Sequence, residues 1–346
     1  MNNLKRMIEH LQSYDGAPVR IMEVCGTHTS TATKAGLRSL LPSNIRLISG
    51  PGCPVCLAAS AYIDRLCELA ADGCIIASFG DLLRVQGKSG SLLEKKAKGA
   101  RVEMVYSPLD ALKLARTHPE STVVMAAVGF ETTAPAYALA LETAIAEGLS
   151  NFKLLTALKR LIPAMEALCP EKSVDAFITP GHVSAVIGSD GFIPLAQRFH
   201  KPMVVAGFDA ESMLAAICLL ISKLDTGYTA NLYGEVVQPQ GNAKALAILD
   251  KYFEPGEAYW RGLSLIPESG FYLKKEYMVF DAGSRMLYDD AADSGGCRCG
   301  EVLTGKIDPA ECPLFGSACT PENAFGPCMV SSEGACGIRY AGEGLE

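Results

Sequence analysis

Three groups of residues in this chain could do chemistry, and all three are built on sulfur. The first is Glu23-Val24-Cys25-Gly26-Thr27-His28, a cysteine with a histidine three residues on. The second is Ser49-Gly50-Pro51-Gly52-Cys53-Pro54-Val55-Cys56, a C-x-x-C. The third is the series Cys297, Cys299, Cys312, Cys319, Cys328 and Cys336 near the end of the chain. A thiolate is both a nucleophile and a soft metal ligand. At a helix N-terminus the thiol of Cys25 should ionise more readily, and His28 could pair with it, move protons or bind a metal. The competing reading of Cys25 is a small buried residue ahead of a threonine-rich cap. Cys53 and Cys56, between a strand and a helix, suit a redox dithiol or a soft ligand pair. A zinc site would need a second C-x-x-C, which this part of the chain lacks.

The tail cysteines are spaced by 2, 13, 7, 9 and 8 residues. This is neither two zinc-ribbon pairs nor a C-x-x-C-x-x-C ferredoxin run. Four ligands for a [4Fe–4S] cluster plus a two-thiol redox pair would use all six, and the members of the C-x-C can divide between these roles. Two zinc sites or three disulfides are the alternatives, and a reducing compartment disfavours the disulfides. The remaining four of the 13 cysteines, Cys67, Cys74, Cys169 and Cys218, lie within helical or strand runs and read as core.

The elements that must hold these groups repeat a simple rhythm. Short apolar, β-branched runs at 19–24, 45–49, 74–79, 101–106, 122–128, 152–156, 176–179 and 203–206 each end in a turn and lead into a helical pattern. Continuous apolar runs suit strands covered on both faces, and the alternation predicts doubly wound α/β layers with parallel sheets. Residues 1–13 read as an amphipathic helix with Leu4, Met7, Ile8 and Leu11 on one face. The polar break at His118-Pro119-Glu120 predicts two α/β domains, 14–118 and 119–224. Residues 225–346, with or without 1–13, are expected to form a cysteine-rich domain, too poor in apolar runs to fold without a staple.

Ligands of open α/β sheets bind beyond the carboxyl ends of the strands. Three more strand-end loops therefore count. Gly129-Phe130-Glu131 should place Glu131 in a first helical turn, Pro180-Gly181-His182 presents His182, and Gly207-Phe208-Asp209 repeats the glycine-acid theme. Glu131 and His182 are expected to line one cleft. Neither G-x-x-x-x-G-K-[ST] nor a strand-following G-x-G-x-x-G occurs.

Composition narrows the function classes. Lys plus Arg is 31 and Asp plus Glu is 38, a net charge of −7, which argues against nucleic-acid binding. The apolar fraction of 49% is that of a globular chain. The longest apolar runs, such as 213–221, are about half of the roughly 20 residues a membrane helix needs. Charged residues interrupt the first ten positions where a secretory signal needs an apolar core, so a cytoplasmic location is expected.

Together the motifs Cys25-Gly26-Thr27-His28, Gly50-Pro51-Gly52-Cys53-Pro54-Val55-Cys56, Gly129-Phe130-Glu131-Thr132-Thr133, Pro180-Gly181-His182-Val183-Ser184 and the tail from Cys297 to Cys336 resemble the HypD family of hydrogenase maturation factors. The likeness runs from about residue 20 to 340 in order. It implies two α/β domains, a third with a [4Fe–4S] cluster in surroundings similar to ferredoxin-thioredoxin reductase, and a part in building the Fe(CN)₂CO unit of [NiFe]-hydrogenase. It further implies a tight partner, HypC, and a transient one, HypE, that carries cyanide as a thiocyanate. By this resemblance Cys25 holds the iron as it receives cyanide and CO, with His28 beside it. Cys53 and Cys56 are the cleft dithiol. Cys299, Cys312, Cys319 and Cys336 hold the cluster, Cys297 and Cys328 form the adjacent redox pair, and Glu333 lies near the cluster. The chain would be a redox-active assembly scaffold rather than a turnover enzyme. The competing function is a stand-alone iron–sulfur disulfide reductase acting on protein thiols.

Overall fold

A computed structural model describes residues 3–289 and 296–342. Among the described residues are eleven strands: β1 (Val19–Glu23), β2 (Ile45–Ser49), β3 (Ile75–Ser78), β4 (Val102–Met104), β5 (Val123–Gly129), β6 (Phe152–Lys159), β7 (Ala176–Pro180), β8 (Met203–Ala206), β9 (Thr229–Asn231), β10 (Phe253–Trp260) and β11 (Ser264–Leu273). The eight apolar runs of the sequence are β1 to β8. β5 is buried along its whole length, as a run with no polar alternation requires.

The strands form two sheets, and each belongs to one of two compact units. The first unit comprises described residues of 3–53, 164–242 and 296–342. Its sheet has the order β2-β1-β7-β8-β9, parallel throughout. Register runs Val19↔Ile45 between β1 and β2, and Ile21↔Ala176 between β1 and β7. Ile21, Ile178 and Val204 pack against Leu214, Ile217 and Leu220 of helix Ala210–Ile221. Helix Asn3–Gln12 joins this core through Leu4, Met7, Ile8 and Leu11, the face expected from its spacing.

The second unit comprises residues 54–163 and 243–289. Its sheet has the order β10-β11-β6-β5-β3-β4. The four strands from β6 to β4 are parallel, and the hairpin β10–β11 adds to β6 antiparallel, with Gly270 opposite Lys159.

The sheets therefore cut across the expected border at 118. β1 and β2 join β7 to β9, whereas β3 and β4 join β5 and β6. The expected C-terminal domain 225–346 is divided as well. The hairpin β10–β11 completes the second sheet, and residues 296–342 group with the first. Parallel pairing is non-local, so neighbours in sequence need not be neighbours in a sheet. Nothing in the apolar runs themselves distinguishes one parallel partner from another.

Each sheet has a point where the strand order reverses. In the first unit β1 is followed by β2 on one side and β7 lies on the other; in the second, β3 is flanked by β4 and β5. Such points open a crevice at the carboxyl ends of the strands. Cys25 and His182 follow the two strands that flank the first of these points.

Among the described residues no helix is long and apolar enough to cross a membrane.

Candidate functional site

Cys25 leaves β1 in extended geometry (φ −156°, ψ 128°) and is the N-cap of helix Gly26–Lys34. The N–H groups of His28 and Thr27 favour its thiolate, as expected for a helix start, but burial raises the pKa by more and the Glu333 carboxylate adds to the rise. The thiol is only 8% exposed. The expected easy ionisation is thus reversed: burial holds Cys25 as a thiol.

His28 does not act as the cationic partner of that thiol. Its Nε2 lies 2.9 Å from the Gly207 carbonyl and 3.3 Å from that of Ala206. Carbonyls only accept, so Nε2 carries the proton and Nδ1 keeps its lone pair. Burial pulls the pKa down to about 4, so the ring is neutral at pH 7. The ring stacks on Phe208 at 4.7 Å, and His182 stacks on Phe208 at 3.9 Å. Thr31 Oγ1 donates to the Phe208 carbonyl at 2.8 Å. The loops after β1, β7 and β8 are therefore fastened together, with the Phe208 ring between His28 and His182. The ring of His182 is exposed. Asp209 is the N-cap of helix Ala210–Ile221 and accepts from Ser212 N at 2.8 Å, which accounts for its carboxylate.

The loop after β2 lies directly on this edge. A Cβ at Gly52 would stand 2.5 Å from Cys25 Cα and from Gly26 N, so only glycine fits there. Cys53 follows, buried, and its Sγ donates to Ser331 Oγ at 3.3 Å. A Cβ at Gly26 would stand 2.6 Å from the Glu333 carbonyl. The tail segment 331–333 thus rests on the tip that carries Cys25. Ser331 is one turn beyond Cys328, with Ser331 N donating to the Pro327 carbonyl at 3.1 Å.

All six tail cysteines line one pocket, together with Val302, Leu314, Phe315 and Met329. Burial raises the pKa of Cys336, and the thiols of Cys328, Cys297, Cys319 and Cys312 raise it further. A thiolate at Cys336 is therefore disfavoured unless a positive centre sits beside it. Phe325 N donates to Cys319 Sγ at 3.4 Å, a contact of the kind that tunes iron–sulfur potentials. Among the described residues no three or more His, Cys, Asp or Glu converge on a single ion. A cubane asks for something different, because each thiolate binds its own iron. None of the 13 cysteines is in a disulfide. Cys67 and Cys169 are buried as expected, whereas Cys74 and Cys218 are half-exposed.

A chain of ion pairs ties this pocket to β1. Glu23, two residues before Cys25, is fully buried, and its Oε2 lies 3.8 Å from Arg38 Nη2. Arg38 also donates to the Leu47 carbonyl and Ser49 Oγ, each at 3.1 Å. Its Nη1 is 3.6 Å from Asp308 Oδ2, and Asp308 Oδ1 is 3.6 Å from Arg339 Nε. Asp308 caps the turn before Cys312, and Arg339 lies in the helix Ala335–Gly342 that carries Cys336.

In the second unit Glu131 is not in a helical first turn. It precedes helix Ala134–Glu147, is buried, and its Oε1 accepts from Leu161 N at 2.8 Å, capping the next helix, Leu161–Leu168. Burial drives its pKa up to about 7. Cys56 is buried and also belongs to this unit.

The sequence pattern described as "HypD: Hydrogenase formation hypA family" matches residues 1–343. The chain belongs to the HypD family. It is 45% identical to the hydrogenase maturation factor HypD of Escherichia coli (strain K12), over 98% of this chain and 93% of that protein. It is 43% identical to the HypD of Rhizobium leguminosarum bv. viciae, over 92% and 87%. It is 39% identical to a putative hydrogenase expression/formation protein of Methanocaldococcus jannaschii, over 93% and 91%.

The structure brings together, within the first unit of this HypD chain, Cys25, His28, Cys53, His182, Glu333 and the six tail cysteines; Cys56 and Glu131 belong to the second. Sequence reasoning missed Glu23, Arg38, Phe208, Asp308 and Ser331. Only Glu23 gave a signal, as a carboxylate following the apolar pair Ile21-Met22 at the end of a strand. Arg38 and Asp308 are ordinary surface types until the fold puts them side by side.

Three outcomes follow. Arg38→Ala removes the charge that partly offsets the burial of Glu23 and should cost about 3 kcal/mol in denaturant unfolding at pH 8, less as pH falls and the Glu23 carboxyl takes up a proton; adding Glu23→Gln should recover part of that loss. Gly52→Ala should cost about 2 kcal/mol through backbone overlap, while Gly234→Ala, which meets open space, should stay within about 0.5 kcal/mol of the parent. Glu131 binds its proton more tightly folded than unfolded, so its contribution is full below pH 4.5 and lost as pH rises through about 7. Glu131→Gln should therefore gain up to about 3 kcal/mol on the parent at pH 8 and nothing at pH 4, read from unfolding curves across pH.

Proposed function

We propose that this chain is a redox-active scaffold in [NiFe]-hydrogenase maturation that holds iron at Cys25 while cyanide and CO are attached. The carrying observation is that Cys25, Cys53 and the tail segment beside Cys328 meet at one sheet edge through Gly52, Ser331 and Gly26. Iron is the cargo. Cys25 supplies a thiolate for it, opposite a cysteine of the partner HypC. The Thr27 and His28 N–H groups and the iron charge together offset the burial that keeps the thiol protonated. Soft thiolate support suits low-spin Fe(II) bearing cyanide and CO.

Cyanide arrives from HypE as a thiocyanate, and its release needs two electrons. The dithiol supplies them: carrier–S–CN plus the thiols of Cys53 and Cys56 gives carrier–SH, CN⁻, one proton and a Cys53–Cys56 disulfide. The hydrogen bond from Cys53 to Ser331 orients the thiol next to the turn that holds Cys328. Cys328 and Cys297 reduce the disulfide in turn by thiol exchange. Cys299, Cys312, Cys319 and Cys336 would hold a [4Fe–4S] cluster, which when bound would pass electrons one at a time from an external reductant; two electrons and two protons return Cys297 and Cys328 to thiols. The six-thiol pocket supports a cluster among these thiols, and the choice of four follows the family resemblance. His28 keeps the three loops in register, and His182 and Glu333 flank the edge where the partner delivers its load.

The test is infrared spectroscopy of the chain purified with HypC. Wild type should show CN and CO stretching bands and Cys25→Ala should show none. Bands that persist in Cys25→Ala would remove the iron assignment. Bands absent from wild type, together with rapid disulfide turnover, would favour the stand-alone reductase.

A further inference from the structure

The second unit contains a buried lysine that the chemistry above does not use. Lys159 is the last residue of β6, at the carboxyl edge of its sheet, and it is 4% exposed. It lines a pocket of about 330 Å³, counting the solvent at the mouth, with Thr156, Tyr62, Tyr259, Tyr272 and Ser284. Its Nζ donates to the Tyr259 carbonyl at 2.7 Å and lies 5.9 Å from the Trp260 ring centre. Among the described residues no carboxylate is in ion-pair contact with it.

A buried ammonium without a counter-charge is costly, so the group either sheds its proton or waits for an anion. Among the described residues Asp289 is the anion that acts on it, and only from outside ion-pair contact. The Tyr62 hydroxyl donates to the Leu155 carbonyl at 2.9 Å and the Tyr272 hydroxyl to the Glu257 carbonyl at 2.8 Å. Burial holds both phenols neutral. Asp289 favours the ammonium but is engaged by Ala61 N at 3.0 Å. Ser284 is held by Asp281. Strand β10, which supplies Tyr259 and lies beyond β11 in the sheet, carries a register shift between Gly256 and Ala258, the kind of bulge that re-aims backbone beside a site.

We propose that Lys159 is the cationic floor of a binding site for a small singly charged anion, either a carboxylate or an inorganic ion. The anion pairs with the ammonium inside the pocket, so binding to the neutral amine takes up one proton. Burial lowers the lysine to about 7, which places this coupling in the physiological range. The proposal does not depend on the assignment of Cys25.

The full chain is titrated at constant ionic strength, in a background salt whose anion is too bulky to enter, with formate, bicarbonate or chloride. Thermal unfolding is followed at several pH values. Wild type should show a saturable rise in Tm with at least one probe, and above pH 8 the affinity should fall about tenfold per pH unit because the bound form needs the proton. Response to formate alone identifies a carboxylate, and response to bicarbonate or chloride an inorganic ion. Lys159→Met should abolish the response. Lys159→Arg should keep it but lose the decline with pH, because guanidinium stays charged; this variant decides the matter if Lys159→Met does not fold. No saturable response in wild type, or the same response and pH profile in Lys159→Arg, overturns the proposal.

Discussion

The first unit hangs on one guanidinium. Arg38 comes from the four-residue helix Leu37–Leu40, yet it reaches Glu23 on β1, Ser49 on β2 and Asp308 in the tail. Glu23 is fully sealed from solvent, and burial raises its pKa by more than the Arg38 charge beside it lowers it. The same cation holds Asp308, and Asp308 holds Arg339. Two tail segments bearing Cys312 and Cys336 are thereby fixed to the strand that delivers Cys25. A core-poor tail needs some such tether, because it has little apolar surface of its own to bury.

Close backbone approach completes what the charges begin. At Gly52 and Gly26 the nearest neighbours are backbone atoms of Cys25 and Glu333, not a ligand. The absent side chains let three separated segments stack into a single edge. His28 adds the third side of the frame through two carbonyls and the Phe208 ring. The result is a thiol that is buried, preorganised and not yet ionised. Such a thiol favours a metal over chance electrophiles, because the metal brings the charge that burial withholds.

The two units share one architectural rule and use it differently. Each has a parallel sheet with a reversal of strand order, and each puts its unusual polar groups at the carboxyl edge. In the first unit these are thiols and imidazoles; in the second they are Glu131 and Lys159, an acid and a base that burial draws toward the same pH. Both are held by backbone, Glu131 by Leu161 N and Lys159 by the Tyr259 carbonyl. Fixed geometry with a shifted proton affinity is what distinguishes them from surface charges of the same type.

Much of this was legible before the fold was known. Continuous apolar runs marked β1 to β8 because strands buried on both faces have no reason to alternate. The spacing of Leu4, Met7, Ile8 and Leu11 marked a helix and its buried side. Cysteine and glycine at strand ends marked the loops where chemistry could sit, and six cysteines marked the tail. What the residues could not show is which strand lies beside which, since parallel partners are chosen by packing over long separations. Hence β1 and β2 pair away from β3 and β4, and the hairpin β10–β11 leaves the tail for the second sheet. Nor could they show the sign of local effects. Helix-start N–H groups argue for an ionised Cys25, and His28 three residues on argues for a cationic neighbour, but desolvation outweighs both. The amino-acid sequence by itself determined the kind of chemistry, because residue type fixes what a side chain can bind. Only the tertiary structure decided the partners and charge states, because burial and long-range pairing exist only once the chain has folded.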